Sequence, residues 1–283
     1  MNSIEIRGVS KRFGDVTALD GVTLTLEEGR IYGLLGRNGA GKTTLLNTIT
    51  NRIFASDGAV YINGMPAREN DNAQKYVYMM SEKGQYPESM RIDDVFRWTN
   101  VFYDGALDMA YADELCQAFG LSRRKKVKQL STGYSSIYKI ITALALDVPF
   151  LLLDEPVLGL DANHRDLLYR LMLENYAKNP RTIVLSTHLI EEVSRLIEEV
   201  VIIQDGRIIR QAACDELLAS AYAVTGPAGA ADAYAAGREV IGQDALGGMK
   251  TVYILGRPDG AVTGQLELSQ PDLQRLFIQL TNQ

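Results

Sequence analysis

Gly36-Arg37-Asn38-Gly39-Ala40-Gly41-Lys42-Thr43-Thr44 fits the phosphate-loop pattern G-x-x-x-x-G-K-[ST], and its flanks suit that pattern. Before it, Arg30-Ile31-Tyr32-Gly33-Leu34-Leu35 reads as a short buried strand. After it, Leu45-Leu46-Asn47-Thr48-Ile49 carries apolar residues at helical spacing. Gly36, Gly39 and Gly41 let the backbone turn tightly and bring successive N–H groups toward phosphate oxygens, and the helix adds its positive N-terminal end. Lys42 is expected to reach the β and γ phosphates, the Thr43 hydroxyl to ligate Mg²⁺, and Thr44 to make a second phosphate contact. The stretch therefore predicts a nucleotide site in an α/β chain.

Composition sets outer limits on everything else. The chain has 283 residues, 46% hydrophobic and 23% charged, enough for one large domain and an appendage. A formal charge of −6 argues against a broad nucleic-acid-binding face, so no nucleic-acid partner is expected. Cys116 and Cys214 lack zinc-like spacing and fit a reducing compartment, with no disulfide implied. Met1 to Gly14 lacks the apolar core of a secretory signal, and no apolar run is long enough to span a bilayer. The expectation is a chain that is cytosolic by itself.

Upstream of the loop, Ser3 to Val9 and Val22 to Leu26 alternate at period two, as strands of a small antiparallel layer do. Between them lies Lys11-Arg12-Phe13-Gly14, where Phe13 is open to two readings, surface packing or stacking on a base. Ala59 to Ile62 reads as a strand entering an Asn63-Gly64 turn, and Tyr76 to Met80 as another strand. From about residue 86 to 146 the periodicity becomes helical and predicts an inserted helical subdomain. Its basic run, Arg123-Arg124-Lys125-Lys126 with Lys128, reads as solvated charge near a helix end. Ser131 is suited to cap the helix that follows.

Pro149 to Asp154 is an uninterrupted apolar strand ending in Asp154-Glu155, where acids at the carboxyl end of a core strand face a ligand. Ala162 to Lys178 is read as a helix and Arg181 to Ser186 as a further buried strand, with His188 just beyond it. Val200 to Gln204 and Arg207 to Ile209 form a hairpin across Asp205-Gly206. The alanine- and glycine-rich stretch after residue 215, a strand over Thr251 to Leu255 and a last helix over Gln270 to Thr281 suggest a small α+β appendage. The alternative is a loosely docked helical tail.

The phosphate loop, the helix-opening Ser131-Thr132-Gly133-Tyr134, the Asp154-Glu155 pair and His188 occur in an order that resembles the ATP-binding-cassette (ABC) ATPases over roughly residues 1 to 212. The resemblance implies a phosphate-loop NTPase of ABC type with ATP and Mg²⁺ as cofactors. It implies a cassette over 1–214, a helical subdomain over about 86–146 and an accessory domain over 215–283. Asp154 would hold Mg²⁺ through water, Glu155 would act as general base and His188 would sense the γ phosphate. Asp161 would lie in the D-loop, Phe13 would stack on adenine, and Ser131 to Tyr134 would form the signature that meets the partner's ATP.

The chain departs from the family pattern in three places, one of them Leu158, which stands where a serine is common before Gly159. Thr132 and Tyr134 stand where the signature most often has glycine and glutamine, and the Q-loop glutamine is replaced by Ser81 or, with a one-residue shift, Glu82. The tail and the Glu155 to Asp166 segment resemble bacterial exporter subunits from operons with a GntR-type repressor. The resemblance implies a separate transmembrane permease, a second ATPase subunit (a copy or a sister chain), and a peripheral place on the inner face of the cell membrane. A soluble ABC ATPase with a non-transport role and a nucleotide-dependent regulatory module are the alternatives.

Overall fold

The computed structural model describes residues 2–258 and 264–282. The chain divides into two compact units, Met1–His188 with Ile203–Ile209, and Leu189–Ile202 with Arg210–Gln283. In the first unit, β1 (Ser3–Phe13) and β2 (Val16–Glu27) form an antiparallel hairpin that buries Ile4, Ile6, Leu24 and Leu26. Both strands run past their expected ends, so Lys11, Arg12 and Phe13 belong to β1 and not to a connection. Register shifts between Ile6 and Val9 and again before Lys11 break the alternation, which is why a period-two reading stops at Val9.

After β3 (Ile31–Leu35) comes α1 (Lys42–Ile49), then β4 (Asp57–Ile62), which pairs with β1. β5 (Met65–Pro66) folds back on β4 across Asn63 and Gly64, whose φ of 52° and 75° suit a tight hairpin turn. These strands form an antiparallel sheet in the order β2-β1-β4-β5. A short helix α2 (Asp71–Gln74) leads to β6 (Val77–Met80), and the helical segment follows with α3 (Ile92–Phe102), α4 (Met109–Ala118), a 3-10 turn at Val127–Gln129 and α5 (Thr132–Ala145).

Helix begins at Ile92, six residues after the expected start, because Arg91 is held in a β-bridge to Lys126. Asp108 caps α4 and Ser131 caps α5. The basic run is more than solvated charge. Arg123 pairs with Asp93 on α3 and Asp113 on α4 and lies 5.6 Å from the Phe96 ring, while the Lys125 ammonium sits 5.6 Å from that of Tyr134.

β7 (Phe150–Asp154), α6 (Ala162–Lys178) and β8 (Thr182–Thr187) complete the main body of this unit. β3, β8, β7 and β6 lie side by side in that order, all parallel. β3, β6, β7 and β8 are buried along their whole length, as strands covered on both faces must be.

The second unit begins with α7 (Ile190–Val193). The hairpin of β9 (Glu199–Gln204) and β10 (Arg207–Ala213) has its turn, Ile203–Ile209, in the first unit. Then come α8 (Cys214–Ala219), β11 (Ala221–Pro227), α9 (Ala228–Ala235), β12 (Val240–Leu246), β13 (Met249–Leu255), β14 (Glu267–Ser269) and α10 (Leu273–Thr281).

Strands β12-β13-β11-β14 form an antiparallel sheet, so the tail is α+β and the helical alternative does not hold. Tyr222, Val224, Ala231, Val252 and Ile254 make its small core. Residues 189–202 group with the tail because α7 packs on α10 and Cys214 N–H bonds the Glu198 carbonyl at 2.8 Å, which places the division differently from position 214. The last helix starts at Leu273 because Asp272 caps it. Among the described residues no helix is long and apolar enough to cross a membrane.

Candidate functional site

The parallel register gathers the site. Leu35 pairs with Thr187, Ser186 with Asp154, and Met80 with Leu153, so four strands end at nearly one level. The residues that follow, Gly36, His188, Glu155 and Ser81, therefore all emerge at the carboxyl edge of the sheet, where open α/β folds bind ligands.

The phosphate loop leaves β3 with Arg37, Asn38 and Gly39 exposed and returns buried through Ala40, Gly41 and Lys42. Gly41 is the N-cap of α1 at φ 111°, with no side chain capping the helix. Its first-turn N–H groups, Thr43 and Thr44 among them, face the loop with the positive end of the dipole. A Cβ on Gly36 would fall 2.6 Å from the Ile203 carbonyl, and one on Gly41 would fall 2.7 Å from that of Ala18. These glycines thus serve packing as well as the turn. Lys42 is buried and its ammonium donates to the carbonyls of Gly36 (2.7 Å) and Arg37 (3.3 Å), which leaves one of three protons for a phosphate oxygen. Burial pushes the Lys42 pKa down, opposed by the charges of Glu155 and Asp154.

Asp154 accepts hydrogen bonds from Thr43 Oγ1 at 2.7 Å and from Ser186 Oγ at 2.8 Å, so both of its oxygens are fixed. A threonine hydroxyl beside a carboxylate is an all-oxygen donor set of the kind a hard, water-retaining cation such as Mg²⁺ takes. Among the described residues no cluster of three or more His, Cys, Asp or Glu could hold a metal by itself, so the remaining ligands there would be phosphate oxygens and waters. Glu155 adopts φ 48°, rare for a long side chain, and its N–H bonds the Ser186 carbonyl at 2.8 Å. Its Oε2 lies 2.9 Å from His188 Nδ1.

Thr43, Asp154 and Glu155 line a cavity of about 520 Å³ with Ser81, Glu82 and Gln85. Ser81 is buried and Glu82 is exposed. Arg52 also lines this cavity, and neither Arg52 nor Gln85 is singled out by any motif. The only sequence signal for Arg52 is an isolated cation just after the phosphate-loop helix.

A second cavity, of about 380 Å³, is bordered by Ser131, Thr132, Leu158 and again Glu155. Ser131 Oγ accepts from Tyr134 N–H at 3.3 Å, and Ser136 Oγ donates to the Leu158 carbonyl at 2.7 Å. Gly133 packs on Gly159 so closely that a Cβ would lie 2.7 Å from its carbonyl. Tyr134 meets the His164 ring edge-on at 6.3 Å, and Asp161 uses both carboxylate oxygens on His164, one to cap α6. Phe13 stands apart from these cavities at the end of β1, 49% exposed, with Lys11 Nζ 4.8 Å from its ring.

Fold and loop define a phosphate-loop nucleotide-binding protein. The sequence model of the ABC transporter family matches residues 19–158, and an AAA-domain model described as a putative AbiEii toxin of a Type IV TA system matches 124–194. The ABC transporter ATP-binding protein YtrB of Bacillus subtilis is 30% identical over 76% of this chain and 73% of its own. A taurine import ATP-binding protein of Jannaschia sp. is 32% identical over 75% of this chain and 82% of its own. The Nod factor export ATP-binding protein I of Burkholderia lata is 30% identical over 77% of this chain and 73% of its own. The solved ATP-binding subunit of an ABC transporter superposes with TM-score 0.67 at 27% identity, covering 76% of this chain and 91% of that one. The chain belongs to the ATP-binding proteins of ABC transporters.

Proposed function

We propose that this chain hydrolyses ATP to power a separate transmembrane permease, as the ATPase subunit of a bacterial exporter. The observation that carries the reading is the carboxyl-edge arrangement in which Asp154 is fixed on Thr43 and Glu155 on His188. Lys42 and the N–H groups at the start of α1 would hold the phosphates, and Phe13 the adenine. Thr43 and water-bridged Asp154 would hold Mg²⁺, which when bound neutralises phosphate charge.

With the His188 proton on Nδ1, the imidazole donates to Glu155 Oε2 and leaves Oε1 to accept a proton from the attacking water. Ser131 to Tyr134 would meet the nucleotide of a second ATPase subunit, so that ATP joins two cassettes and hydrolysis releases them. Relatives named for import and for export both resemble the chain; the exporter reading rests on the form of the tail and of the segment Glu155 to Asp166, which also suggests an operon with a GntR-type repressor. The permease would hold the chain on the inner face of the membrane.

Glu155→Gln tests the chemistry. ATP affinity should stay within a few fold while hydrolysis falls by about 10²–10⁴, because the amide keeps the shape and loses the basicity. Near-normal turnover in that variant would remove Glu155 from the role.

A further inference from the structure

Helix α1 ends in a turn that places one cation beside the cavity holding Thr43, Asp154 and Glu155. Asn51 adopts φ 55°, its N–H bonds the Thr48 carbonyl at 3.3 Å, and Arg52 N–H bonds the Asn47 carbonyl at 2.9 Å. That pair of bonds around a left-handed residue stops a helix and reverses the chain, which fixes where Arg52 starts. Thr43 and Asn47, one turn apart on α1, line the cavity, and the Arg52 side chain borders it as well. Its guanidinium donates through Nη1 to Ser81 Oγ at 2.9 Å and through Nη2 to the Met79 carbonyl at 2.8 Å. The same carbonyl also accepts from Gln85 Nε2 at 2.5 Å.

The Ser81 hydroxyl has one proton and two lone pairs. Its proton goes to the Lys83 carbonyl at 3.2 Å and one lone pair takes Arg52, so one lone pair is left over on a buried oxygen that borders the cavity. Glu82 lines the same cavity but is held differently. Its backbone carbonyl is held by the Lys139 ammonium, and the residue is exposed.

We propose that Arg52 is a positioning residue of the ATPase site, fixing the Ser81 hydroxyl so that Ser81, and not Glu82, is the group of this segment that accepts from metal-bound water. The inference rests on the Mg²⁺–ATP reading given above. Arg52 itself touches neither nucleotide nor metal in this scheme. It replaces reach with rigidity: a short hydroxyl does what a longer side chain would otherwise do, because a fork-shaped cation holds it in place.

The test uses the full chain and reads binding, not turnover. Metal-free nucleotide binding is followed with a fluorescent ATP analogue in EDTA, and metal affinity by the electron paramagnetic resonance of Mn²⁺ titrated in the presence of a non-hydrolysable ATP analogue. Ser81→Ala and Arg52→Gln should each weaken Mn²⁺ binding about tenfold while leaving metal-free nucleotide binding within about twofold. Because both remove one interaction, the double variant should be no weaker than either single variant. Arg52→Lys, which keeps the charge and loses the fork, should fall between and serves if Arg52→Gln does not fold. Wild-type Mn²⁺ affinity in Ser81→Ala, a tenfold loss in Glu82→Ala or Gln85→Ala, or additive losses in the double variant would each overturn the assignment. Failure of the unaltered protein to bind the analogue in EDTA would instead sink the nucleotide reading, a separate result.

Discussion

Lys42 is already in place within its own loop, because two of its protons are taken by the carbonyls of Gly36 and Arg37. The ammonium thus needs no large rearrangement to meet a phosphate, and its removal deletes a charge-assisted hydrogen bond worth about 1.5–3 kcal/mol. Lys42→Ala should weaken ATP binding by roughly 10- to 100-fold in a calorimetric titration. Unchanged affinity would count against the phosphate-loop assignment. Lys42, Thr43, Asp154, Glu155 and His188 are legible in the sequence because each sits at a fixed offset from a strand end, and strand ends are readable from apolar runs. Arg52 is not legible, since its direction depends on Asn51 turning left-handed, and Asn-Arg between Thr50 and Ile53 matches no motif. Ser81 and Glu82 differ by one residue in sequence but by burial and partners in space, and only the second difference separates them.

At the scale of elements, the start of α5 is zipped to the segment after β7. Gly133 lies against Gly159, Ser136 holds the Leu158 carbonyl, and Tyr134 packs on His164. The tyrosine that departs from the family pattern is thus a packing residue between α5 and α6. Gly133→Ala would drive a methyl to 2.7 Å from a backbone oxygen, so the two segments must separate. Thermal unfolding should show a loss of about 1–3 kcal/mol, with hydrolysis reduced alongside. A variant as stable and active as the parent would show that the zipper is slack.

The limits of α6 were readable residue for residue, although its apolar residues make only a weak stripe. β11, α9 and β12 were not, because alanine and glycine supply neither strong strand preference nor an apolar alternation. Their pairing is instead set by β13, whose own sequence is strand-like.

For the molecule as a whole, the shared-site reading makes a demand on mixtures. Lys42→Ala and Ser131→Arg chains should each be inactive alone. A mixed pair joins the damaged loop to the damaged signature and leaves the other site intact, so a measurable part of the ATPase rate should return on mixing. Strong turnover in pure Ser131→Arg protein would contradict sharing outright. The outline of the chain, a cassette with an appendage, was visible from composition and motif order. The grouping of residues 189–202 with the tail was not, because it depends on α7 packing on a helix some eighty residues later, and contacts at that separation leave no local trace.

The left-handed backbone at Glu155 carries a consequence for descent. Among the described residues, the other non-glycine positions in that region are Asn51, Asn63, Asp104, Asp205 and Glu69, so most are residue types that tolerate it. Holding a long side chain there stores about 1–3 kcal/mol of strain, so Glu155→Gly would relax the fold while removing the base we propose. Glutamate and glycine codons differ by a single base. On the role proposed for Glu155, stability and turnover therefore pull this codon in opposite directions.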